Sequence, residues 1–382
     1  MKRIVIAGYG VAGLTAGDTL REAGFDGEIT IVGQEPTAPY SRPALSKALL
    51  ADSGSDPDLS ALSLPEPIHG ARELLGRTAT ELDPHERTVR LDDGADLPYD
   101  ALLIASGSRP RRFTDSPAEL TLRSLADALE LRRRLSCRPR TLVLGGGALG
   151  MEVASGARGL GCEVTVAHRG VPMSRQVGPV LGGVCAREAE AAGVTLLDDV
   201  AVAVRTDGQA TEVELASGAR LHPELLVTAI GDAPNVEWLE SSGLLEEGRL
   251  VVDHRGLVTP EIAAAGDVAW TRSGQWMSRR PLWMHAIEQA RATAMGLLHG
   301  DAAISHVPRP YFWTEQFGLH LRLAGPPAQG QPEIVEGALD STRMLLRWPA
   351  ADRVEGGGTA AAVNHRLPIP RLRRLANPPA AA

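Results

Sequence analysis

With 382 residues the chain exceeds what one ordinary hydrophobic core organises and suits two or three domains. Apolar residues at 43% and charged residues at 23% exclude wholesale disorder, and 41 glycines with 27 prolines point to many tight turns between short elements, as in α/β folds. A formal charge of -8 gives nucleic acid no electrostatic support from the whole molecule, and no apolar run approaches the roughly 18 residues of a membrane span, so neither is an expected partner.

The chain opens on Met1-Lys2-Arg3 and an apolar stretch that Gly8, Gly10, Gly13 and Gly17 interrupt, which favours a first strand over a leader peptide. Lys2 to Ala7 is a β-branched run entering Gly8-Tyr9-Gly10-Val11-Ala12-Gly13, followed by an Ala- and Leu-rich helical stretch and a second strand, Glu28 to Val32. Tyr99 to Gly107 reads as a buried strand ending in the small-residue turn Ala105-Ser106-Gly107. Arg140 to Leu144 then enters Gly145-Gly146-Gly147-Ala148-Leu149-Gly150, again with a helical stretch and a strand, Glu163 to Val166, behind it. A lone GxGxxG is weak, whereas strand, glycines, helix and strand in register, twice in one chain, is strong. The first glycine permits the turn, the second lets backbone approach a pyrophosphate, and the third lets helix pack on strand with phosphates at the helix N-terminus.

Leu225 to Gly231, followed by Asp232-Ala233-Pro234-Asn235, reads as a return strand. Gly248 to Asp253 and Ile262 to Asp267 continue the sheet, and Ala286 to His299 has helical spacing. Pro308 to Phe317 is aromatic, Leu319 to Leu323 and Arg343 to Trp348 read as strands of a separate antiparallel sheet, and Ala376 to Ala382 reads as a frayed tail. Cys137, Cys162 and Cys185 form no CxxC or CxxxxC pair; they read as small buried hydrophobes, with no metal site and a reducing compartment, the cytoplasm, as the expected setting.

Eight stretches together resemble the FAD-dependent ferredoxin reductases of cytochrome P450 or Rieske-type oxygenase systems, the putidaredoxin reductase group. They are GYGVAG at 8 to 13, PYSRPALSK at 39 to 47, YDALLIASGSRPR at 99 to 111, LVLGGGALGMEVA at 142 to 154, AIGDAPN at 229 to 235, AAGDVA at 264 to 269, AIEQA at 286 to 290 and PYFWTEQFG at 310 to 318. PYSRPALSK and PYFWTEQFG are the narrow ones and carry the resemblance. It implies an α/β fold of two Rossmann-like dinucleotide-binding domains, the FAD domain (1–111 and 228–305) split by the NAD(P)H domain (112–227), with a small α+β C-terminal interface domain (306–382).

Residue by residue, the resemblance implies that Gly8, Gly10, Val11, Ala12 and Gly13 hold the FAD pyrophosphate and that Asp267 bonds its ribityl or phosphate. Glu35 would take the adenosine ribose hydroxyls, although Gly33 holds the usual strand-end position. Ala105 and Gly107 line the same site, Arg42 and Pro43 shape the loop over the flavin, and Glu288 and Gln289 lie near its pyrimidine end. Lys47 and Glu152 match a pair beside flavin N5, where a cation stabilises the charge arriving with hydride. Trp313 corresponds to an aromatic at the flavin edge on the ferredoxin side, with Arg279, Arg280 and Arg309 as candidate docking cations for an acidic ferredoxin. NAD(P)H is expected at Gly145, Gly147 and Gly150.

Three departures stand out. Ala167-His168-Arg169 replaces the usual acidic strand end, so that His168 and Arg169 tilt the expected donor towards NADPH. Pro281-Leu282-Trp283 replaces a common Glu-His-Trp, and Val354 to Pro370 is unusually rich in glycine and alanine. Where related disulfide reductases carry a cysteine pair, the chain reads Arg42-Pro43-Ala44-Leu45-Ser46-Lys47, which points to one-electron delivery to an iron–sulfur protein. The alternative reading is a flavin-dependent NAD(P)H oxidase or quinone reductase; a redox-sensing role with little turnover is disfavoured by the intact Lys47 and Glu152.

Overall fold

The computed structural model describes residues 1–51, 59–207, 210–274, 276–350 and 357–377. Residues 354–356 of the glycine- and alanine-rich stretch and 378–382 of the expected tail lie outside the described residues. The chain divides into two compact units, one of Met1–Ser41, Ser63–Arg109 and Ala233–Pro308 and one of Arg42–Leu62, Pro110–Asp232 and Arg309–Ala382. The segment around Lys47 and the C-terminal sheet therefore group with the second glycine loop.

The first unit is built on strands β1 (Arg3–Ala7), β2 (Glu28–Gly33), β3 (Arg72–Leu75) and β4 (Ala101–Ile104), with helix α1 (Val11–Glu22) after β1. Its sheet runs Ile262–Ala264, β4, β1, β2, β3, every pair parallel. Such a sheet is covered on both faces, which is why β4 is apolar throughout and β1 and β2 are buried at every position after their first, Thr30 included. On one face Ala12, Ala16 and Leu20 of α1 share a core with Ala286, Ala290, Ala294 and Leu297 of the helix Trp283–His299, the alanines letting the two helices approach closely. On the other face Val5, Leu102 and Ile104 pack with Leu82, Val89, Tyr99 and Leu250.

The second unit repeats the scheme with β5 (Thr141–Leu144), α2 (Ala148–Gly159), β6 (Val164–His168), β7 (Thr195–Asp198) and β8 (Leu225–Thr228). Its sheet order is β7, β6, β5, β8, Glu119–Leu120, again all parallel. The same unit carries an antiparallel sheet of β9 (Tyr311–Gln316), β10 (Leu319–Ala324), β11 (Glu333–Gly337), β12 (Met344–Trp348) and β13 (Thr359–Val363), ordered β9, β10, β13, β12, β11, and a last helix, α3 (Ile369–Ala376). β13 reads TAAAV and is wholly buried, so part of the alanine-rich stretch forms a central strand, its small side chains packed among larger neighbours. Among the described residues no helix is long and apolar enough to cross a membrane.

Candidate functional site

In the first unit, β1 ends in a loop whose three glycines each meet a different demand. Gly8 sits at φ +119, and a Cβ there would lie 2.1 Å from the Ala105 carbonyl oxygen. Gly13 opens the helix so close to the strand that its Cβ would lie 2.0 Å from Gly8 O. A Cβ on Gly10 would meet nothing within 4 Å among the described residues, so the glycine faces open space. Gly10 is the N-cap of α1, no side chain caps that end and no acid stands in its first turn, which leaves the N–H groups around Val11 and Ala12 and the positive end of the helix dipole to an anion. A diphosphate fits this loop on its own geometry.

The neighbouring residues expected to hold FAD are tied into the same unit. Glu35 accepts a hydrogen bond from the Tyr40 hydroxyl. Asp267 Oδ2 accepts from Ser108 Oγ at 3.3 Å and its carbonyl from Arg279 Nη1 at 2.8 Å. Gln289 is 3% exposed and spans the turn before Asp267, accepting from Gly266 N at 2.9 Å and donating towards Thr271 Oγ1 at 3.5 Å. Both ends of that amide are thus engaged within the protein, and Gln289 holds the Gly266-Asp267 turn. Glu288, half-buried, faces His306, whose imidazole burial holds below its ordinary range.

The second loop repeats the first at its ends. Gly145 sits at φ +112 with a Cβ position 2.3 Å from Ala229 O, and the Gly150 Cβ would lie 1.9 Å from Gly145 O. Gly147 caps α2 without a side-chain partner. At the strand ends beside this loop, both ring nitrogens of His168 and Thr228 Oγ1 are buried with no hydrogen-bond partner among the described residues. His168 closes β6 and Thr228 closes β8, the carboxyl ends of strands flanking β5, where a dinucleotide supplies hydroxyls and phosphate oxygens. Arg169 is exposed. Asp198, paired in register with His168 on β7, accepts from Gly170 N at 2.7 Å, so an acid does stand near this strand end, supplied by the next strand.

Lys47 and Glu152 meet within the second unit, Nζ to Oε2 at 2.8 Å, with side chains 12% and 5% exposed. A carboxylate so deep in protein needs its lone pairs filled. Ser46 Oγ also donates to Oε2, and Thr314 Oγ1 donates to Oε1 at 2.7 Å while accepting from Gln316 Nε2 at 3.0 Å. Lys47 Nζ donates to Pro43 O at 3.3 Å and stands 5.8 Å from the centre of the Trp313 ring, which stacks on Tyr311. Arg42 anchors the segment by donating to Arg123 O at 2.6 Å. Glu152 is one turn into α2, so the pair stands beside the second glycine loop.

The structure places Lys47, Glu152 and Trp313 in one cluster, whereas Arg309 belongs to the second unit and Arg279 and Arg280 to the first. Sequence reasoning missed Ser46, Thr314 and Gln316, although each lies inside PYSRPALSK or PYFWTEQFG and is the hydroxyl or amide nearest a named residue. It also missed Tyr9, His69 and Glu73, which no motif beyond Tyr9 itself covers. The cysteines are all free, Cys137 exposed and Cys162 and Cys185 buried, and burial pushes the Cys185 thiol up to about 12.

The family model described as pyridine nucleotide-disulphide oxidoreductase matches residues 2–290. The chain is 32% identical over 388 residues to the 3-phenylpropionate/cinnamic acid dioxygenase ferredoxin–NAD(+) reductase component of Photorhabdus laumondii, covering 98% of this chain and 96% of that one. It is 35% identical over 354 residues to rhodocoxin reductase of Rhodococcus erythropolis, covering 88% and 81%. Among solved structures, the covalent putidaredoxin reductase–putidaredoxin complex matches with a TM-score of 0.86 at 27% identity, covering 98% of this chain and 93% of that one.

Proposed function

The chain belongs to the pyridine nucleotide-disulphide oxidoreductase family, and from that premise we propose that it is an NAD(P)H:ferredoxin reductase whose iron–sulfur partner supplies a Rieske-type or cytochrome P450 oxygenase. FAD, when bound, supplies a carrier that accepts two electrons as hydride and releases them one at a time. The first glycine loop takes its diphosphate on the N–H groups of α1, with Asp267 and Glu35 as further polar partners. The second loop takes the nicotinamide dinucleotide, and His168 and Thr228 offer it the polar atoms the protein leaves unused.

The observation that carries the reading is the Lys47–Glu152 pair in place of a cysteine pair. Position 47 carries a cation held at 2.8 Å from a buried carboxylate, and none of Arg42 to Lys47 is a thiol. The chain therefore has a group that stabilises negative charge during hydride arrival and no dithiol there to take the electrons onward. Ferredoxin reduction in the rhodocoxin, putidaredoxin and dioxygenase-component relatives supports the same acceptor class.

The test is steady-state cytochrome c reduction with single ferredoxins added in turn, alongside dioxygen and quinone controls. We expect at least one ferredoxin to raise the rate well above the ferredoxin-free level. A rate that no ferredoxin changes, with turnover on quinones or dioxygen, replaces this reading with an oxidase or quinone reductase.

A further inference from the structure

Beneath the loop Gly8 to Gly13 lies a set of hydrogen bonds that reaches it from behind. Tyr9, between the first two glycines, is only 8% exposed and His69 2%. The Tyr9 hydroxyl lies 2.9 Å from His69 Nε2 and 2.6 Å from Glu73 Oε1, and the two rings stand edge to face at 5.8 Å. Proton positions follow from the partners. Ala71 N–H donates to His69 Nδ1 at 3.0 Å, so the neutral ring carries its proton on Nε2 and donates to the Tyr9 oxygen. The Tyr9 proton then goes to Glu73. All three bonds run one way along Ala71, His69, Tyr9 and Glu73.

Helix α1 grips the same segment. Asp18 Oδ1 accepts from Ile68 N at 2.9 Å and His69 N at 3.0 Å, and Arg21 Nε donates to His69 O at 2.6 Å. Gly17 makes room, since a Cβ there would lie 3.2 Å from His69 Cβ. The ionisable groups facing His69 are thus Asp18 and Arg21 of α1, Glu73 of β3 and Tyr9 of the loop. Burial is the largest influence on the imidazole and holds it below its ordinary range against the pull of Asp18 and Glu73. Burial, then Glu73, pushes the Tyr9 phenol up.

We propose that Tyr9 is a positioning residue for FAD: held by His69 and Glu73, it braces the first glycine loop in the shape that leaves Gly10 open to a diphosphate, and the brace needs a neutral His69. A protonated ring would set an Nδ1–H against the Ala71 N–H and break the run at its first bond. The proposal rests on the reading that this loop takes FAD. The sign of the pH effect follows from linkage. A loosened loop frees His69 to bind a proton near the ordinary value of 6.5, while the braced ring resists it. Acid below that value favours the loosened loop, so FAD is held more weakly as pH falls through it, and above it this group has no effect.

The test is equilibrium binding of FAD to the apoprotein by flavin fluorescence quenching, from slightly alkaline to mildly acidic pH, for the wild type, Tyr9→Phe and Glu73→Gln. Wild-type affinity should fall on the acid side. Tyr9→Phe should raise Kd about tenfold at neutral pH, the scale of losing the buried bond to His69 together with the half-buried one to Glu73, and flatten the acid-side fall. Glu73→Gln keeps an accepting oxygen and should raise Kd about threefold, which carries the test if Tyr9→Phe does not fold by circular dichroism and melting. A folded Tyr9→Phe with unchanged Kd and pH profile overturns the brace, as does an unchanged Glu73→Gln where Tyr9→Phe cannot be folded. A wild-type apoprotein that binds no FAD overturns instead the assignment of the loop.

Discussion

The loops at Gly8 and Gly145 agree at their first and third glycines and differ in how the space between loop and strand end is filled. Strand pairing sets Val32 opposite Ala7 and Ala167 opposite Leu144, so Gly33 and His168 are equivalent strand ends, as Tyr9 and Gly146 are equivalent loop residues. In the first unit Tyr9 fills the space from the loop, and a Cβ on Gly33 would lie 3.0 Å from Tyr9 Cβ. In the second the loop position is glycine and His168 fills it from the strand; a Cβ on Gly146 would lie 2.8 Å from His168 Cβ. One space is occupied once, from opposite sides. A side chain at the first strand end would crowd Tyr9, and the next acid along the chain, Glu35, accepts from Tyr40; in the second unit the strand end is His168 and the acid, Asp198, stands on the neighbouring strand.

The sharpest way to break the comparison is to separate what a glycine does for the fold from what it does for the ligand. Gly10 has φ -87 and open space where a side chain would go, so Gly10→Val should fold and melt like the wild-type apoprotein while filling the place of the diphosphate. We expect colourless protein, with FAD affinity lowered by about a hundredfold or more, about 2.7 kcal/mol. Gly13→Ala should do the reverse and lower the melting temperature, because its Cβ would lie 2.0 Å from a carbonyl that cannot yield. Visible absorbance and a melting curve on both variants decide it; a yellow Gly10→Val means the diphosphate is not at this loop.

A second difference lies one turn into each helix. Aligning Gly13 with Gly150 sets Thr15 of α1 against Glu152 of α2, and only the latter gathers a cation and two hydroxyls. Lys47→Met should keep FAD yet slow flavin reduction by NAD(P)H about tenfold in stopped flow, the scale of losing a positioned charge. Thr314→Val should slow it about threefold and Thr314→Ser restore it, since serine keeps the donor to Glu152 Oε1. Reduction rates unchanged in Lys47→Met remove the pair from the reaction; a Thr314→Ser no better than Thr314→Val shows that packing, not the hydroxyl, matters there.

These features were legible in the sequence to different depths. The two βαβ units showed because strand, glycines and helix are contiguous and their glycine spacing is set by local sterics. Lys47, Glu152 and Trp313 were reached only through the narrow motifs, as they lie more than a hundred residues apart and nothing local says that they meet. The hydroxyls of Ser46 and Thr314 were in view but carried no signal of direction, because a strand or turn can aim a side chain either way until its register is known. Tyr9, His69 and Glu73 were invisible for a plainer reason: the bonds span 60 and 64 residues, and His69 stands in a stretch without periodicity or motif. The grouping of the C-terminal sheet with the second unit was equally hidden, since it depends on contacts of β9 with α2 rather than on any linker composition.

The smallest expected effect concerns which dinucleotide the second loop prefers. A 2′-phosphate there would find the exposed Arg169 and the unused ring nitrogens of buried His168, which attract it, and the Asp198 carboxylate tied to Gly170, which repels it. An exposed cation is screened and its attraction is partly cancelled by the acid, so the balance should favour NADPH over NADH by only about threefold. Arg169→Ala removes the guanidinium's share of the attraction and leaves Asp198, so kcat/KM for NADPH should fall about threefold while that for NADH stays. Raising the ionic strength of the wild-type assay should erode the same difference, because screening acts on the charged 2′-phosphate and not on a ribose hydroxyl. Equal efficiencies that neither Arg169→Ala nor salt alters would mean that the ribose end of the ligand does not meet this strand end as a phosphate, leaving His168 as a partner for hydroxyls alone.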